Sequence, residues 1–357
     1  MARITLTRHL ARRAAAPIAA AAAAITLVVW ALQVVRLAPE VITGATPAGA
    51  IARVLLLPLA SAAAFALPLA AAVGILAAGR ACRRDGTLDA LAASGIAPRR
   101  TAQPFLIAGL GAVAASGALS LVAEPEALAI LRDDVPVLAA AAVQGRATPG
   151  SFVAAGAGIE WFVRERRGDA FEDALLARRD PSGGAFEVFA RSMAFERRAS
   201  GDPVLAMRQG TVSLRGGGRR LDASFDAMSM PLDLGAVRGA VGRILPPGQT
   251  ARASAIVDSR ALADLDPWNR YLVLRRLAPP LETLLVVLLA AALATTGRGG
   301  ARAWIVALGT LAVTFVLLRT IEPACRDGLL SPAAAVLLPH VPLAAATAGA
   351  LAFAGRS

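Results

Sequence analysis

The chain has 357 residues, 56% of them hydrophobic, with a mean hydropathy of +0.60 and a formal net charge of +12. So much apolar surface cannot be buried in one water-soluble core, so the composition excludes a soluble globular domain. The positive charge would suit nucleic-acid binding. However, residues 151–234 hold 12 arginines and 12 acidic residues, and the excess arginines flank apolar runs. We therefore expect a membrane protein with no nucleic-acid partner.

Six apolar runs are long enough, or nearly so, to cross a bilayer, which takes about 20 residues. The runs are 14–35, 54–79, 101–123, 277–297, 303–321 and 332–354. The first resembles a signal peptide but exceeds the usual apolar core of about 7–15 residues, so we expect a retained anchor. We predict a first transmembrane half at 1–123 and a second at 263–357.

The placement of arginines predicts the orientation of these spans. The segments 1–13, 80–100, 297–302 and 355–357 carry 4, 5, 2 and 1 arginines, opposed only by Asp85 and Asp89. Positive residues concentrate in cytoplasmic loops. Both termini and the loop 80–100 are therefore predicted to be cytoplasmic, which agrees with an even number of spans.

The loop 80–100 reads RACRRDGTLDALAASGIAPRR. Its arginines bracket a short segment in which Leu88, Leu91 and Ala92 share one helix face. Asp85 is predicted to cap the start of this helix and Gly95 to end it. The pattern predicts a short surface helix, and the alternative is a basic loop that only fixes topology.

Residues 124–262 form the one extended region outside the predicted spans. Apolar and polar residues alternate over 221–227, and the same period appears over 159–163, 205–207 and 212–214, which is typical of half-buried strands. Turn-rich clusters separate these segments. We therefore predict an inserted all-β domain, an antiparallel sandwich or open barrel on the non-cytoplasmic side, with flanking linkers that include the Gly/Pro-rich segment 235–262.

The sequence lacks the common catalytic and metal-binding motifs. The chain has no lysine, so a standard phosphate-binding GxxxxGK[ST] loop is impossible. His9 and His340 lie near opposite ends of the chain, and no HExxH or CxxC motif exists, which argues against a zinc site. Cys82 and Cys325 fall on opposite sides of the predicted membrane and cannot form a disulfide. We expect a non-catalytic protein without cofactor or metal.

The ionisable candidates for function within or at the ends of spans are Arg36, Glu282, Arg319 and Glu322. Arg36 and Arg319 either snorkel to the interface or wait there for an anionic ligand. Arg319 and Glu322, at i and i+3, form either a structural ion pair or a polar lining for a lipid headgroup or an ion path.

Three stretches resemble the lipopolysaccharide export permeases, the YjgP/YjgQ (LptF/LptG-like) family. They are GRACRRDGTLDALAASGIAPRRTAQP at 79–104, RRLAPPL at 275–281, and GLLSP at 328–332 followed by Pro339. The similarity covers essentially the whole chain. Thr87 stands where the family usually has an acidic residue, flanked here by Asp85 and Asp89, and His340 stands where the family often has Asn.

The resemblance implies a six-span membrane protein of the bacterial inner membrane with an inserted, jelly-roll-like periplasmic β domain. It implies a permease subunit of an ABC exporter that extracts lipopolysaccharide and passes it to a periplasmic bridge protein. The implied partners are a cytoplasmic ATPase dimer, a second paralogous permease subunit and the bridge protein.

The resemblance also implies two sets of functional residues. The candidates for the lipid headgroup are Arg36, Arg319 and Glu322, because Arg side chains pair well with phosphate. The loop expected to couple to the ATPase contains Asp85, Thr87, Leu88, Asp89, Leu91, Ala92, Ser94 and Gly95. Two other functions stay open. One is an ion-coupled transporter that uses Glu282, Arg319 and Glu322, and the other is a non-transporting membrane adaptor whose β domain binds a partner.

Overall fold

The structure is a computed structural model. It describes residues 2–41, 48–130, 150, 152–156, 159–167, 170–179, 185–197, 203–216, 219–231, 265–296 and 300–354. The chain separates into two compact units. We call Met1–Val34, Leu57–Ala129 and Pro247–Ser357 the membrane unit, and Val35–Leu56 and Ile130–Pro246 the β unit. The predicted linker 235–262 lies outside the described residues.

The helices supply six candidate membrane spans, as the sequence predicts. The spans cover Thr7–Val35, Ile51–Arg84, Arg99–Ile130, Pro267–Thr295, Ala301–Arg326 and Pro332–Ala354. The helices that form or connect them are α1 (Ala2–Val41), α2 (Ala48–Leu56), α3 (Pro58–Arg84), α4 (Thr87–Ala93), α5 (Pro98–Ala118), α6 (Pro267–Leu274), α7 (Ala278–Thr295), α8 (Ala301–Arg326), α9 (Pro332–Leu337) and α10 (Val341–Ala354). A π-helical turn at Leu119–Ala123 continues α5, and 3₁₀ turns precede α7 and α10.

Helix α7 packs against α3, α5 and α10 and carries much of the buried core of the membrane unit. Small residues permit the close contacts. A Cβ atom at Gly79 of α3 would lie 2.6 Å from the Cβ of Ala294, and one at Gly109 of α5 would overlap the side chain of Val287. Membrane helices associate chiefly by such van der Waals packing, because lipid tails are as apolar as the side chains themselves.

The N-terminal half of helix α1 packs on α3. Leu10, Ala14 and Ile18 are buried, whereas Leu27 and Leu32 are 59% and 67% exposed. The contact at Ile18 is close, since a Cβ atom at Gly74 would lie 2.5 Å from the Ile18 backbone nitrogen. The N-terminal part of the first span is therefore anchored in this unit, and the part that follows exposes an apolar surface.

The β unit contains one antiparallel sheet in the consecutive order β1 to β6. Its strands are β1 (Phe152–Gly156), β2 (Ile159–Arg167), β3 (Ala170–Arg179), β4 (Ala185–Arg197), β5 (Pro203–Gly216) and β6 (Arg219–Pro231). One face carries a buried cluster around Trp161, Phe171, Val188 and Met207. The predicted fold class, membrane helices with an inserted β domain, is confirmed.

The alternation of inward and outward side chains shifts by one residue at a single level of the sheet. Asp173 of β3 and Gln209 of β5 have positive φ values of 49° and 52°. Beyond this level Met228 packs on the buried cluster, whereas Ala227 is exposed. The half-buried face predicted over 221–227 is confirmed only at Phe225, which packs on the buried cluster, whereas Leu221, Ala223 and Ala227 are exposed.

Replacement of Gly74 by valine should loosen α1 from α3. The new side chain would collide with the backbone of Ile18, and overpacking of this kind costs about 1–3 kcal/mol. We expect a lower melting temperature of the purified protein in detergent, measured by thermal unfolding. Gly111→Val is the matched control, because a Cβ atom there meets nothing within 4 Å. Equal melting temperatures for the two variants would contradict this packing.

Candidate functional site

A cavity of about 260 Å³ lies in the membrane unit, bordered by residues of the first five spans. It lies toward the ends of the third and fourth spans that lead along the chain to and from the β unit. Its apolar lining includes Val29, Phe65 and Phe315. Its polar and charged lining is concentrated in Gln33, Ser61, Ser120, Glu124, Arg275, Arg276, Glu282 and Arg319.

Glu124 is held at one side of the cavity. The hydroxyl of Ser61 donates a hydrogen bond of 3.0 Å to its carboxylate, and the Arg276 guanidinium interacts with it electrostatically. The Ser120 hydroxyl donates a bond of 2.5 Å to the backbone carbonyl of Arg276. Ser120 belongs to the π-helical turn that ends just before Glu124, and such turns are frequent at functional sites. The turn thus joins the third span to the entry of the fourth.

A second cluster contains Arg275, Arg319 and Glu322. Arg275 Nη1 lies 3.3 Å from Glu322 Oε1, and Arg319 Nη1 lies 3.9 Å from Glu322 Oε2. The guanidinium of Arg319 also lies 5.7 Å from the centre of the Phe315 ring. Arg319 is nevertheless the more exposed arginine, with 63% of its side chain accessible compared with 32% for Arg275. It is well placed to change partners.

Glu282 and Gln33 differ from the other polar groups of the cavity. Among the residues that the structure describes, no hydrogen-bond or ion-pair partner reaches the Glu282 carboxylate. The Oε1 atom of Gln33 is enclosed and also lacks a hydrogen-bond partner in the described part of the chain. Both side chains line the same cavity. The lining of the cavity therefore contains two acceptor groups that are not hydrogen-bonded to any of the described residues.

The structure places the three predicted headgroup residues differently. Arg319 lines the cavity, and Glu322 stands beside it in an ion pair. Arg36 belongs to α1, but its side chain lies outside the described residues. The sequence argument missed Glu124, Arg275 and Arg276 as site residues. The sequence does show an acidic residue at the end of one predicted span and an arginine pair at the start of the next. It does not show that these two span ends are in contact.

The loop between α3 and α5 contains the predicted helix in a shorter form. Helix α4 runs from Thr87 to Ala93, and Gly95 ends it with φ +74°. The backbone N–H of Ile96 donates to the Leu91 carbonyl, and that of Gly95 to the Ala92 carbonyl, which is the C-terminal pattern that favours glycine. The predicted end of the helix is confirmed.

The predicted start of this helix is wrong. Gly86, with φ +67°, occupies the N-cap position, and no side chain caps the helix. Asp85 instead follows α3 and forms an ion pair with Arg13 of α1. Its carboxylate is taken by a basic residue from another span, which no local pattern reveals.

The faces of α4 also differ from the predicted arrangement. Leu88 is buried in the core of the membrane unit, and Leu91 packs partly against that core. Asp89, Ala92 and Ser94 are exposed, whereas Thr87 is half-buried. Arg83 donates a bond of 2.8 Å to the Ala294 carbonyl at the C-terminal end of α7. The loop is therefore fixed to the membrane unit, and its polar side remains available.

No group of three or more His, Cys, Asp or Glu side chains that could hold a metal ion occurs among the described residues. Both cysteines are free and buried. His340 is buried, with Nδ1 2.8 Å from the Val336 carbonyl. It is a packed residue of the last span.

The fold and the cavity define a multi-pass membrane protein with an inserted β domain and a charged cavity among its spans. The family model described as lipopolysaccharide export system permease LptF/LptG matches residues 8–352. No curated protein matches the sequence significantly. The chain therefore belongs to the lipopolysaccharide export permease family, and it is an inner-membrane protein of the ABC transporter permease class that serves lipopolysaccharide transport and outer-membrane biogenesis.

Proposed function

We propose that this chain is one of two paralogous permease subunits of an exporter that extracts lipopolysaccharide from the inner membrane and passes it to a periplasmic bridge protein. A separate cytoplasmic ATPase dimer supplies the energy, and the chain itself is not catalytic. The family match over residues 8–352 carries this proposal. The charged cavity in the membrane unit supports it by offering a place for an anionic headgroup.

The chemistry of the cavity fits a phosphate. Arg275 and Arg319 both face Glu322, so a phosphate that enters can replace this carboxylate as the partner of one or both guanidinium groups. Arg319 changes partners more readily because its pair with Glu322 is longer and its side chain more exposed. We include Arg36 in this headgroup set because it directly follows the first span and is close along the chain to Gln33.

The packing of the spans supports a second permease subunit. Only 6% and 11% of the residues in the apolar stretches of the first and fifth spans are buried, compared with 28–50% in the other four. Exposed apolar side chains such as Leu32, Ile305 and Val316 line these two helices. We propose that the second permease covers part of this surface, and lipid the remainder.

Helix α4 is the proposed contact with the ATPase. Because Leu88 is buried in the membrane unit, the contact uses the exposed residues of the helix, and Asp89, Ala92 and Ala93 are exposed at i, i+3 and i+4. Asp89 carries the negative charge of this face and takes the place of the family's usual acidic residue, for which this chain has Thr87.

Replacement of Arg319 by alanine should weaken lipid binding. Lipopolysaccharide crosslinking from a photoreactive residue at Leu318, which lines the cavity, should fall by up to about tenfold. A hydrogen bond to a charged group contributes about 1.5–3 kcal/mol, and exposure of this side chain reduces the effect. Arg302→Ala, an exposed arginine at the other end of α8, is the control. If both variants crosslink as strongly as the wild type, Arg319 does not bind the lipid and only extends its charge to the membrane interface.

A charge on the exposed side of α4 should uncouple the ATPase. Ala92→Arg places a bulky cation in the proposed contact, and overpacking costs about 1–3 kcal/mol, so recovery of the ATPase should fall about tenfold. The measurement is copurification with the tagged permease at equal expression. Leu329→Arg, which is 77% exposed between α8 and α9, controls for the substitution itself. If the Ala92→Arg permease recovers as much ATPase as the wild type, the loop does not bind the ATPase and only determines the membrane topology.

The proposed orientation can be tested with introduced cysteines, because the two native cysteines are buried and poorly accessible. In a Cys82→Ala, Cys325→Ala background, Ala93→Cys should be cytoplasmic and Leu329→Cys periplasmic. A membrane-impermeant maleimide should label only the residue at 329 in intact spheroplasts and both after permeabilisation. Labelling of position 93 alone in intact spheroplasts would reverse the orientation.

A further inference from the structure

We infer that the cavity contains a subsite for a primary ammonium group, formed by Glu282 of the fourth span and Gln33 of the first. The ligand is an amine carried by the headgroup of the lipid, close to its phosphate. This inference rests on the proposed function, because it assumes that a lipid headgroup enters the cavity. It adds a cation site beside the arginines that are proposed to bind phosphate.

The carboxylate of Glu282 is the first observation. A charged side chain within a membrane span is costly unless it has a partner, and such residues mark functional positions. Glu124 is bonded to Ser61 and lies in the field of Arg276, and Glu322 is paired with Arg275. Glu282 has no comparable partner in the part of the chain that the structure describes. The Glu282 carboxylate is therefore available to a donor that enters the cavity.

Gln33 supplies an independent observation. Its enclosed Oε1 atom has no hydrogen-bond partner among the described residues, and an unsatisfied buried acceptor costs about 1–3 kcal/mol. Gln33 and Glu282 come from different spans but line the same cavity. A ligand that satisfies both acceptors must donate hydrogen bonds.

An ammonium group matches these acceptors. It carries one positive charge and three N–H donors and accepts no hydrogen bond. A divalent cation fits less well, because calcium takes about 6–8 oxygen ligands and the described residues offer no cluster of three carboxylate, imidazole or thiolate groups. The cavity volume of about 260 Å³ is slightly below that of sites for drug-sized ligands, which leaves room for a group as small as an ammonium.

The cavity contains both positive and negative side chains, namely Arg275, Arg319 and Glu282. A headgroup with a phosphate and a nearby amine can therefore place each charge against its opposite. A headgroup with phosphate alone leaves Glu282 and Gln33 unsatisfied. The arrangement predicts that the chain discriminates between lipids that differ only in the charge of an amine.

The test uses the full-length chain in detergent micelles, with lipid binding measured by native mass spectrometry. The probes are didecanoyl phosphatidylethanolamine and its N-acetyl derivative, which share the phosphate and acyl chains but differ in the amine charge. We expect wild-type protein to bind the free-amine lipid about tenfold more tightly, equivalent to about 1.4 kcal/mol. The N-acetyl lipid has the greater net negative charge, so attraction to the arginines alone would give the opposite preference.

Glu282→Gln should abolish this preference, because the amide keeps the shape of the side chain and removes its charge. Glu126→Gln is the matched control, since it removes the same charge from an exposed residue of the third span that does not line the cavity, and it should keep the preference. Gln33→Leu is a second variant, which provides the test if Glu282→Gln does not fold. It should reduce the preference for the free-amine lipid.

Each alternative outcome has a definite meaning. Equal binding of the two lipids by wild-type protein, or an unchanged preference in folded Glu282→Gln, overturns the ammonium site. Full displacement of the amine lipid by an equal concentration of ethylammonium chloride overturns the assignment to a lipid-borne amine. Binding of neither lipid by the wild type contradicts the proposed headgroup cavity itself. Equal binding of both lipids that still depends on Arg319 overturns the ammonium site and leaves the proposed function in place.

Discussion

The close packing of α7 between α3 and α5 is the contact on which the rest of the membrane unit depends. Helices in lipid gain little from hydrophobic association, so they hold together where small residues let their backbones approach. Gly79 against Ala294 and Gly109 against Val287 provide such places on both sides of α7. Because α7 is fixed on two sides, Glu282 and the arginine pair that precedes the helix are fixed as well. The charged cavity is therefore a consequence of apolar packing.

The low dielectric constant of the membrane explains how the charges are arranged. An ionised group there is costly unless an opposite charge or several hydrogen bonds compensate for its desolvation. Glu322 meets this requirement through Arg275, and Glu124 through Ser61 and the field of Arg276. Glu282 has no such partner among the described residues, so by the same requirement it is a candidate to bind a ligand. The sequence suggested an ion path through Glu282, Arg319 and Glu322. The pairing of Glu322 with two arginines favours a static role for that residue.

Features that depend on nearby residues could be predicted from the sequence. Six spans follow from apolar length, and the end of α4 follows from Gly95. The cavity was not predictable in the same way, because it joins residues far apart in the chain: Ser61 bonds Glu124, and Ser120 bonds the Arg276 carbonyl. Asp85 shows the same limit. Its local position suits a helix cap, but Arg13 from another span takes its carboxylate.

The size and position of the cavity together restrict how a large lipid can use it. A volume of about 260 Å³ is smaller than a site for a drug-sized ligand, so a whole lipid cannot fit and much of its apolar part must contact apolar surface elsewhere. The first and fifth spans both border the cavity, through Gln33 and Arg319, and these two spans bury the smallest share of their apolar residues. Apolar surface for the chains thus lies next to charged groups for the head. This juxtaposition suits an amphiphile that enters sideways from the bilayer better than a small ion that passes along the spans, and it favours the lipid permease over the ion-coupled transporter.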